Sequence, residues 1–255
     1  YFCVYINLSA RWICDTDYSL SCIDGPDGYL LNSFHEEESS LSYIEVKQYT
    51  KVIKGNTVLD HVNLNLEKGK IYGFVGSNGS GKTMLFRAVS GLIKPTEGSV
   101  HIDGKLLHKD ISFPPSLGVI IESPGFWDEL TGFENLELLS KVKGVIGSEE
   151  IKNAIERVGL NYKDARIYKK FSVGMKQRLA MAQAVMESPD LLILDEPTSG
   201  LDEDGISRIR NMILEENQRG ATVLIASHNK EDISLLAGKI YRVADGKVHA
   251  EEKKS

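Results

Sequence analysis

The sequence predicts an α/β fold: a core with a mainly parallel sheet, an antiparallel β-subdomain at its N-terminal side and an inserted helical subdomain. Three observations carry this reading. The short runs "DLLILD" and "ATVLIAS" are apolar at nearly every position, as parallel strands buried on both faces are. The earlier stretches "SYIEVKQYT" and "TVLDHVNLNLEKG" alternate instead, as half-buried strands do. Between the two sets, residues of about 124–175 place apolar side chains at helical spacing.

Taken in order, residues 1–41 mix turn residues with an acidic cluster in "DGPDGYLLNSFHEEESS" and show no sustained period. They are expected to form an N-terminal extension, with no role assigned. Cys3, Cys14 and Cys22 all fall within it; their spacing matches no common zinc pattern and their odd count argues against a disulfide framework. Residues 42–255 read as one domain. Val62, Leu64 and Leu66 share one strand face before a Glu-Lys-Gly turn, and Ile71 to Val75 make the next strand, followed by a helix over "MLFRAVSGL". In "LGVIIESPGF", Leu117, Val119, Ile120 and Ile121 read as a buried strand that ends in Glu122. Ligands of open α/β sheets bind beyond such strand ends, so Glu122 is either a solvated terminus or faces a metal or phosphate. "TGFENLELLSKVKGV" and "SEEIKNAIERVGL" supply the helical insertion, the second through Ile151, Ile155 and Val158, with Ser148 as the expected N-cap. A helix-like segment separates the last two buried strands.

Bulk properties narrow the class. A chain of 255 residues holds one large α/β domain or two small ones. It is 42% hydrophobic and 26% charged, with a mean hydropathy of −0.19. The net charge of −6 and pI near 5.6 give no strong pull toward nucleic acid, and no nucleic-acid partner is expected. No apolar run approaches the ~20 residues of a spanning helix. At a membrane, another chain would have to cross it.

The strongest local motif is "IYGFVGSNGSGKT". Gly76-Ser77-Asn78-Gly79-Ser80-Gly81-Lys82-Thr83 fits G-x-x-x-x-G-K-[ST] between a strand and a helix, the context that confirms a phosphate loop. The glycines let backbone N–H groups converge on phosphate oxygens at a helix N-terminus. Lys82 reaches β- and γ-phosphates, and the Thr83 hydroxyl suits Mg²⁺. "LLILDEP" adds Asp195 at a strand end, suited to Mg²⁺, and Glu196 beside it as general base toward water. The α/β fold is thus expected to have a P-loop NTPase core. "NKED", Asn229 to Asp232, fits the N-K-x-D that reads guanine, and "DEDG" at Asp202 to Gly205 fits D-x-x-G. A GTPase reading fails on context, because "DEDG" directly follows "LDEPTSGL".

Another reading accounts for more residues. "FSVGMKQRLAMAQAVM", then "LLILDEPTSGLD", then His228 after a strand resemble in order and spacing the signature loop (usually L-S-G-G-Q-x-Q-R), Walker B segment, D-loop and switch histidine of ATP-binding cassette (ABC) ATPases. The resemblance covers roughly residues 43–250. The chain is similar to nucleotide-binding subunits of ABC transporters, and among them to bacitracin- and lantibiotic-type exporter ATPases.

The resemblance implies ATP and Mg²⁺ as cofactors and a head-to-tail dimer, either a homodimer or a pair with another ABC subunit. In it Ser172, Gly174 and the D-loop Asp202 of one chain meet ATP held by Lys82 of the other, and His228 contacts the γ-phosphate. It implies a separate transmembrane permease and a cytoplasmic position on the inner face of the cell membrane. The 124–170 segment would receive the permease, with Phe126, Trp127 and Phe133 either contacting it or packing in the subdomain core.

Three departures stand out. Val173 and Met175 replace signature residues. Ile53 stands where many members carry an adenine-stacking aromatic, with Tyr49 either substituting or packing in its strand. Glu122 replaces the glutamine that in the family ligates Mg²⁺ and connects to the permease, and it adds a charge where Asp195 and Glu196 already crowd. The alternative function is a soluble ABC ATPase of the cluster-assembly type. A catalytically idle binding module would be expected to lose Lys82, Glu196 or His228, and all three are present.

Overall fold

A computed structural model describes residues 42–122 and 125–251. The extension expected over residues 1–41, with its three cysteines, lies outside the described residues. In chain order the strands are β1 (Ser42–Ile53), β2 (Asn56–Glu67), β3 (Ile71–Val75), β4 (Glu97–Ile102), β5 (Lys105–Leu106), β6 (Leu117–Ile120), β7 (Leu191–Asp195), β8 (Thr222–Ala226), β9 (Lys239–Ala244) and β10 (Lys247–Glu251). The helices are α1 (Lys82–Val89), α2 (Gly132–Lys143), α3 (Ser148–Arg157), α4 (Val173–Val185), α5 (Glu203–Gln218) and α6 (Lys230–Leu236).

β1 and β2 form a hairpin over Lys54 and Gly55, both at positive φ, the backbone that a two-residue turn needs to match strand twist. They lie in an antiparallel sheet of order β2-β1-β4-β5. The second sheet runs β10-β9-β3-β8-β7-β6, parallel except for the β10 edge. This is the predicted class: an antiparallel β-subdomain beside a mainly parallel core.

β7 shows how the apolar runs work. Leu191 and Ile193 face a core shared with Ile44, Leu59, Phe74 and Phe86, while Leu192 and Leu194 face a second core with Leu136, Ile155, Leu179 and Ile213. Successive strand residues point to opposite faces, so a strand covered on both sides must be apolar throughout. The first core binds the β-subdomain and α1 to the sheet; the second carries α2 to α6.

Two helix boundaries differ from expectation. Ser148 is the first helical residue of α3 rather than its cap. The cap is Gly147, whose N–H donates to Glu150 Oε2 at 2.9 Å. α1 stops at Val89 instead of running through Leu92. Gly91 takes φ +81°, its N–H bonds to the Ala88 carbonyl, and Leu92 N–H bonds to that of Arg87, the hydrogen-bond pair of a Schellman ending.

Candidate functional site

β3, β8, β7 and β6 are neighbours in the parallel sheet, so their carboxyl ends deliver four loops to one rim: the Gly76–Gly81 loop, Ser227–His228, Asp195–Glu196 and Glu122. The first loop is sterically obliged to be glycine at Gly76, where an added Cβ would stand 2.2 Å from the Val243 carbonyl oxygen. Gly81 caps α1 at φ 113° with no side-chain cap. The first-turn N–H groups are thereby left for an anion, at the positive end of the helix dipole. Lys82, mostly buried, donates from Nζ to the carbonyls of Gly76 (2.8 Å) and Ser77 (3.1 Å), which holds its ammonium over the loop. The buried Ser80 hydroxyl has no hydrogen-bond partner among the described residues.

Beside the loop, Thr83 Oγ1 donates to Asp195 Oδ2 at 2.6 Å. Both carboxylate oxygens of Glu196 are held by His228. Its Oε1 accepts the His228 backbone N–H at 3.0 Å and its Oε2 lies 2.7 Å from His228 Nδ1. Its own backbone sits at φ +52°, a left-handed conformation that a glutamate adopts only at a cost. Gln177 Nε2 donates to the carbonyls of Glu196 and Pro197 at 3.1 and 3.0 Å, fixing the turn. Asn78 to Thr83, Asp195, Glu196 and Glu122 line one open cleft of about 1160 Å³. Glu122 reaches it with its charge already countered, Arg87 Nη2 lying 2.7 Å from Glu122 Oε1. The crowding expected of three acids is thus relieved by a cation from α1.

The oxygen donors fit a hard divalent cation. No group of three or more His, Cys, Asp or Glu able to hold an ion by itself occurs among the described residues. That is compatible with Mg²⁺, which is commonly bound through one or two protein oxygens plus substrate phosphates. Thr83 and Asp195 supply such a pair, with Glu122 near them.

Other predicted residues lie apart from this cleft. Ser172 caps α4, its hydroxyl accepting Met175 N–H at 3.2 Å. Gly174 packs so closely on Gly200 that an added Cβ would be 3.1 Å from that carbonyl oxygen. Asp202 caps α5 and meets Arg178 at 3.4 Å. None of these three lines the cleft, although Val173, Lys176 and Gln177 of α4 do. Of the adenine candidates, Tyr49 is fully buried and donates to the Ile93 carbonyl at 3.1 Å. Burial pushes its phenol above the usual tyrosine range. It packs in its strand and presents no ring to a base. Phe126 lines the cleft and meets Tyr168 edge-on at 5.2 Å between ring centroids. Phe133 packs against the second core, and Trp127 is 47% exposed. Sequence reasoning gave no site role to Arg87 or Gln177, whose partners lie beyond their own helices.

Fold and site together define a nucleotide triphosphatase whose phosphate loop, acid pair and histidine stand on one rim of a parallel sheet. Comparison with known proteins is more specific. The family profile described as "ABC transporter" matches residues 59–199. An uncharacterized ABC transporter ATP-binding protein, YybJ of Bacillus subtilis (strain 168), is 51% identical over 82% of this chain and 96% of its own length. The bacitracin transport ATP-binding protein BcrA of Enterococcus faecalis is 40% identical over 80% of this chain and 67% of its own. Among solved structures, the dimeric structure of MJ0796, a bacterial ABC transporter cassette, superposes with a TM-score of 0.75 at 25% identity, covering 83% of this chain and 99% of that one. The chain belongs to the ABC transporter family, as an ATP-binding subunit with ATPase chemistry.

Proposed function

We propose that this subunit hydrolyses ATP between two cassettes arranged head-to-tail and thereby drives a separate membrane permease, in the direction of export. The observation that carries the reading is the division of the motif residues between two surfaces. Lys82, Thr83, Asp195 and Glu196 line the cleft, whereas Ser172, Gly174 and Asp202, around the starts of α4 and α5, do not line it, although their neighbour Val173 does. A second cassette presenting those three residues to the cleft would complete the site, and ATP would be buried between the two.

In that site the phosphate loop and Lys82 bind the triphosphate. Thr83, Asp195 and Glu122 would hold Mg²⁺, which would supply positive charge to offset that of the triphosphate. Glu196, oriented by the His228 backbone N–H and Nδ1, takes the proton of the attacking water as general base. Loss of the γ-phosphate removes the contacts that hold the cassettes together, and they part, a ligand-driven switch.

The permease would dock beside Glu122, where an apolar groove of about 290 Å³ is lined by Leu92, Val119, Ile121, Phe126 and Leu139 among others. No helix among the described residues is long and apolar enough to cross a membrane; the subunit would sit on the inner face of the cell membrane against its permease. Transport follows the printed name of the BcrA relative, a bacitracin transport ATP-binding protein; the outward direction follows the resemblance to bacitracin- and lantibiotic-type exporter ATPases.

The test is Glu196→Gln. It should keep ATP binding, lower turnover by about 10²–10⁴-fold, and convert the protein to a dimer on size exclusion in ATP. Normal turnover would overturn the base assignment, and a variant that stays monomeric in ATP would overturn the dimer. Recovery from native membranes with a hydrophobic partner chain supports transport; recovery from the soluble fraction alone favours a cluster-assembly role.

A further inference from the structure

We infer that Arg87 is a positioning residue of the nucleotide site, holding Glu122 as a neutralised carboxylate until a metal–nucleotide complex competes for it. The inference rests on the reading of the cleft as an ATP site. Glu122 follows the end of β6 at φ +61°, a left-handed backbone that a side chain of its size enters only when its surroundings demand it. Its carboxylate meets the Arg87 guanidinium at 2.7 Å. It also lines both the nucleotide cleft and the adjoining apolar groove, so any change of partner is made at the boundary of the two.

α1 sets this up through its register. Residues four apart share a helix face. Thr83, in the first turn, bonds Asp195, and Arg87, one turn later, bonds Glu122. One short helix therefore positions two carboxylates of the same cleft. Asp195, Glu196 and Asp128 also line it, and a nucleotide triphosphate brings further negative charge. An unpaired glutamate at position 122 would repel that ligand, where a glutamine would not. Arg87 removes the penalty with a guanidinium that stays protonated at any working pH. Glu122 then has two competing partners, the guanidinium and a metal bound to phosphate.

The pair is partly exposed, with 32% of the Arg87 and 63% of the Glu122 side chain open to solvent. Such pairs add little to stability, so a role in folding predicts almost nothing measurable while a role at the site predicts an altered metal dependence.

The experiment measures affinity for a fluorescent ATP analogue, in EDTA and across a Mg²⁺ titration, for the parent, Arg87→Ala, Glu122→Gln and the double variant. Arg87→Ala should weaken binding in EDTA by about threefold to tenfold, the scale of one unneutralised charge in a water-rich cleft. It should also lower the Mg²⁺ concentration for half-maximal binding, because the carboxylate no longer leaves a partner. Both effects should vanish in the Glu122→Gln background, shrink at high salt and be partly reversed by Arg87→Lys. An equal loss with and without Glu122, or no loss at all, overturns the inference. A parent that binds no nucleotide in either condition overturns the ATP-site reading itself, whereas normal binding without coupling overturns this inference alone.

Discussion

Gly118 in β6 has no room for a methyl group. An added Cβ would stand 1.9 Å from the Ala184 carbonyl oxygen and 2.8 Å from Leu192 Cδ2, and the first of these is helix backbone that cannot swing aside. Gly118→Ala must push α4 off the sheet, at the upper end of the overpacking range of about 1–3 kcal/mol. Urea unfolding measures it. Gly104, at φ +73° with nothing within 4 Å of an added Cβ, is the contrast: alanine there meets only backbone strain, about 1 kcal/mol. Equal losses at the two positions would mean that β6 and α4 are not in contact as described. At this scale the sequence discloses some residues and hides others for a physical reason. Lys82, Thr83, Asp195 and Glu196 are legible because each owes its position to the local backbone of a strand end or loop. Arg87 and Gln177 owe theirs to partners beyond their own helices, Glu122 after β6 and the carbonyls after β7, and no local pattern encodes that pairing.

Among the elements, α2 is held at its start by a reciprocal cap. Thr131 Oγ1 accepts the Glu134 N–H at 3.2 Å, and Glu134 Oε2 accepts the Thr131 N–H at 2.7 Å, which satisfies two donors the helix cannot. Thr131→Ala should cost about 1 kcal/mol, read as a lower urea midpoint with an unchanged slope. The bond from the Thr131 backbone N–H, then that from its hydroxyl, lowers the Glu134 pKa below its ordinary value. A carboxylate depressed in the folded state adds stability that is fully present above its ordinary pKa and is lost as pH falls through the lower, folded value. The deficit of Glu134→Gln against the parent should therefore be constant near neutrality and shrink in acid, below about pH 4.5. A deficit independent of pH would remove the charge from the cap. Periodicity made these elements readable, since Ile151 and Ile155 are buried along α3 as their spacing requires. Their exact ends were less so: α3 is capped by a glutamate reaching back to Gly147, and α1 is stopped by Gly91. Such choices depend on which side chain reaches a free N–H or carbonyl first.

Across the whole molecule, one buried carboxylate joins the segments that carry the Glu196–His228 pair. Asp232 in α6 is fully buried. It accepts Thr198 Oγ1 at 2.5 Å, Ser227 Oγ at 3.1 Å and Arg210 Nε of α5 at 2.7 Å. Thr198 follows Glu196 by two residues and Ser227 directly precedes His228, so the exits of β7 and β8 are pinned to the same group. The sequence offered Asp232 only as part of a guanine-reading decoy; the packing of α6 turns it inward instead. Asp232→Ala strips Arg210 of its buried partner and orphans two hydroxyls. Breaking a buried pair costs about 3–5 kcal/mol, and Arg210 keeps an exposed ion pair with Glu231 at 3.0 Å, so the lower end of that range applies. Asp232→Asn, which retains an oxygen acceptor, should lose less in urea unfolding. If Asp232 also sets the geometry of the pair, Asp232→Asn should lower kcat while nucleotide affinity at Lys82 is preserved, because the phosphate loop sits on β3 and α1 and shares none of these bonds. A kcat that matches the parent in the folded Asp232→Asn protein would confine Asp232 to stability. A parallel fall in kcat and affinity would mean that the two strand exits and the phosphate loop move as one body.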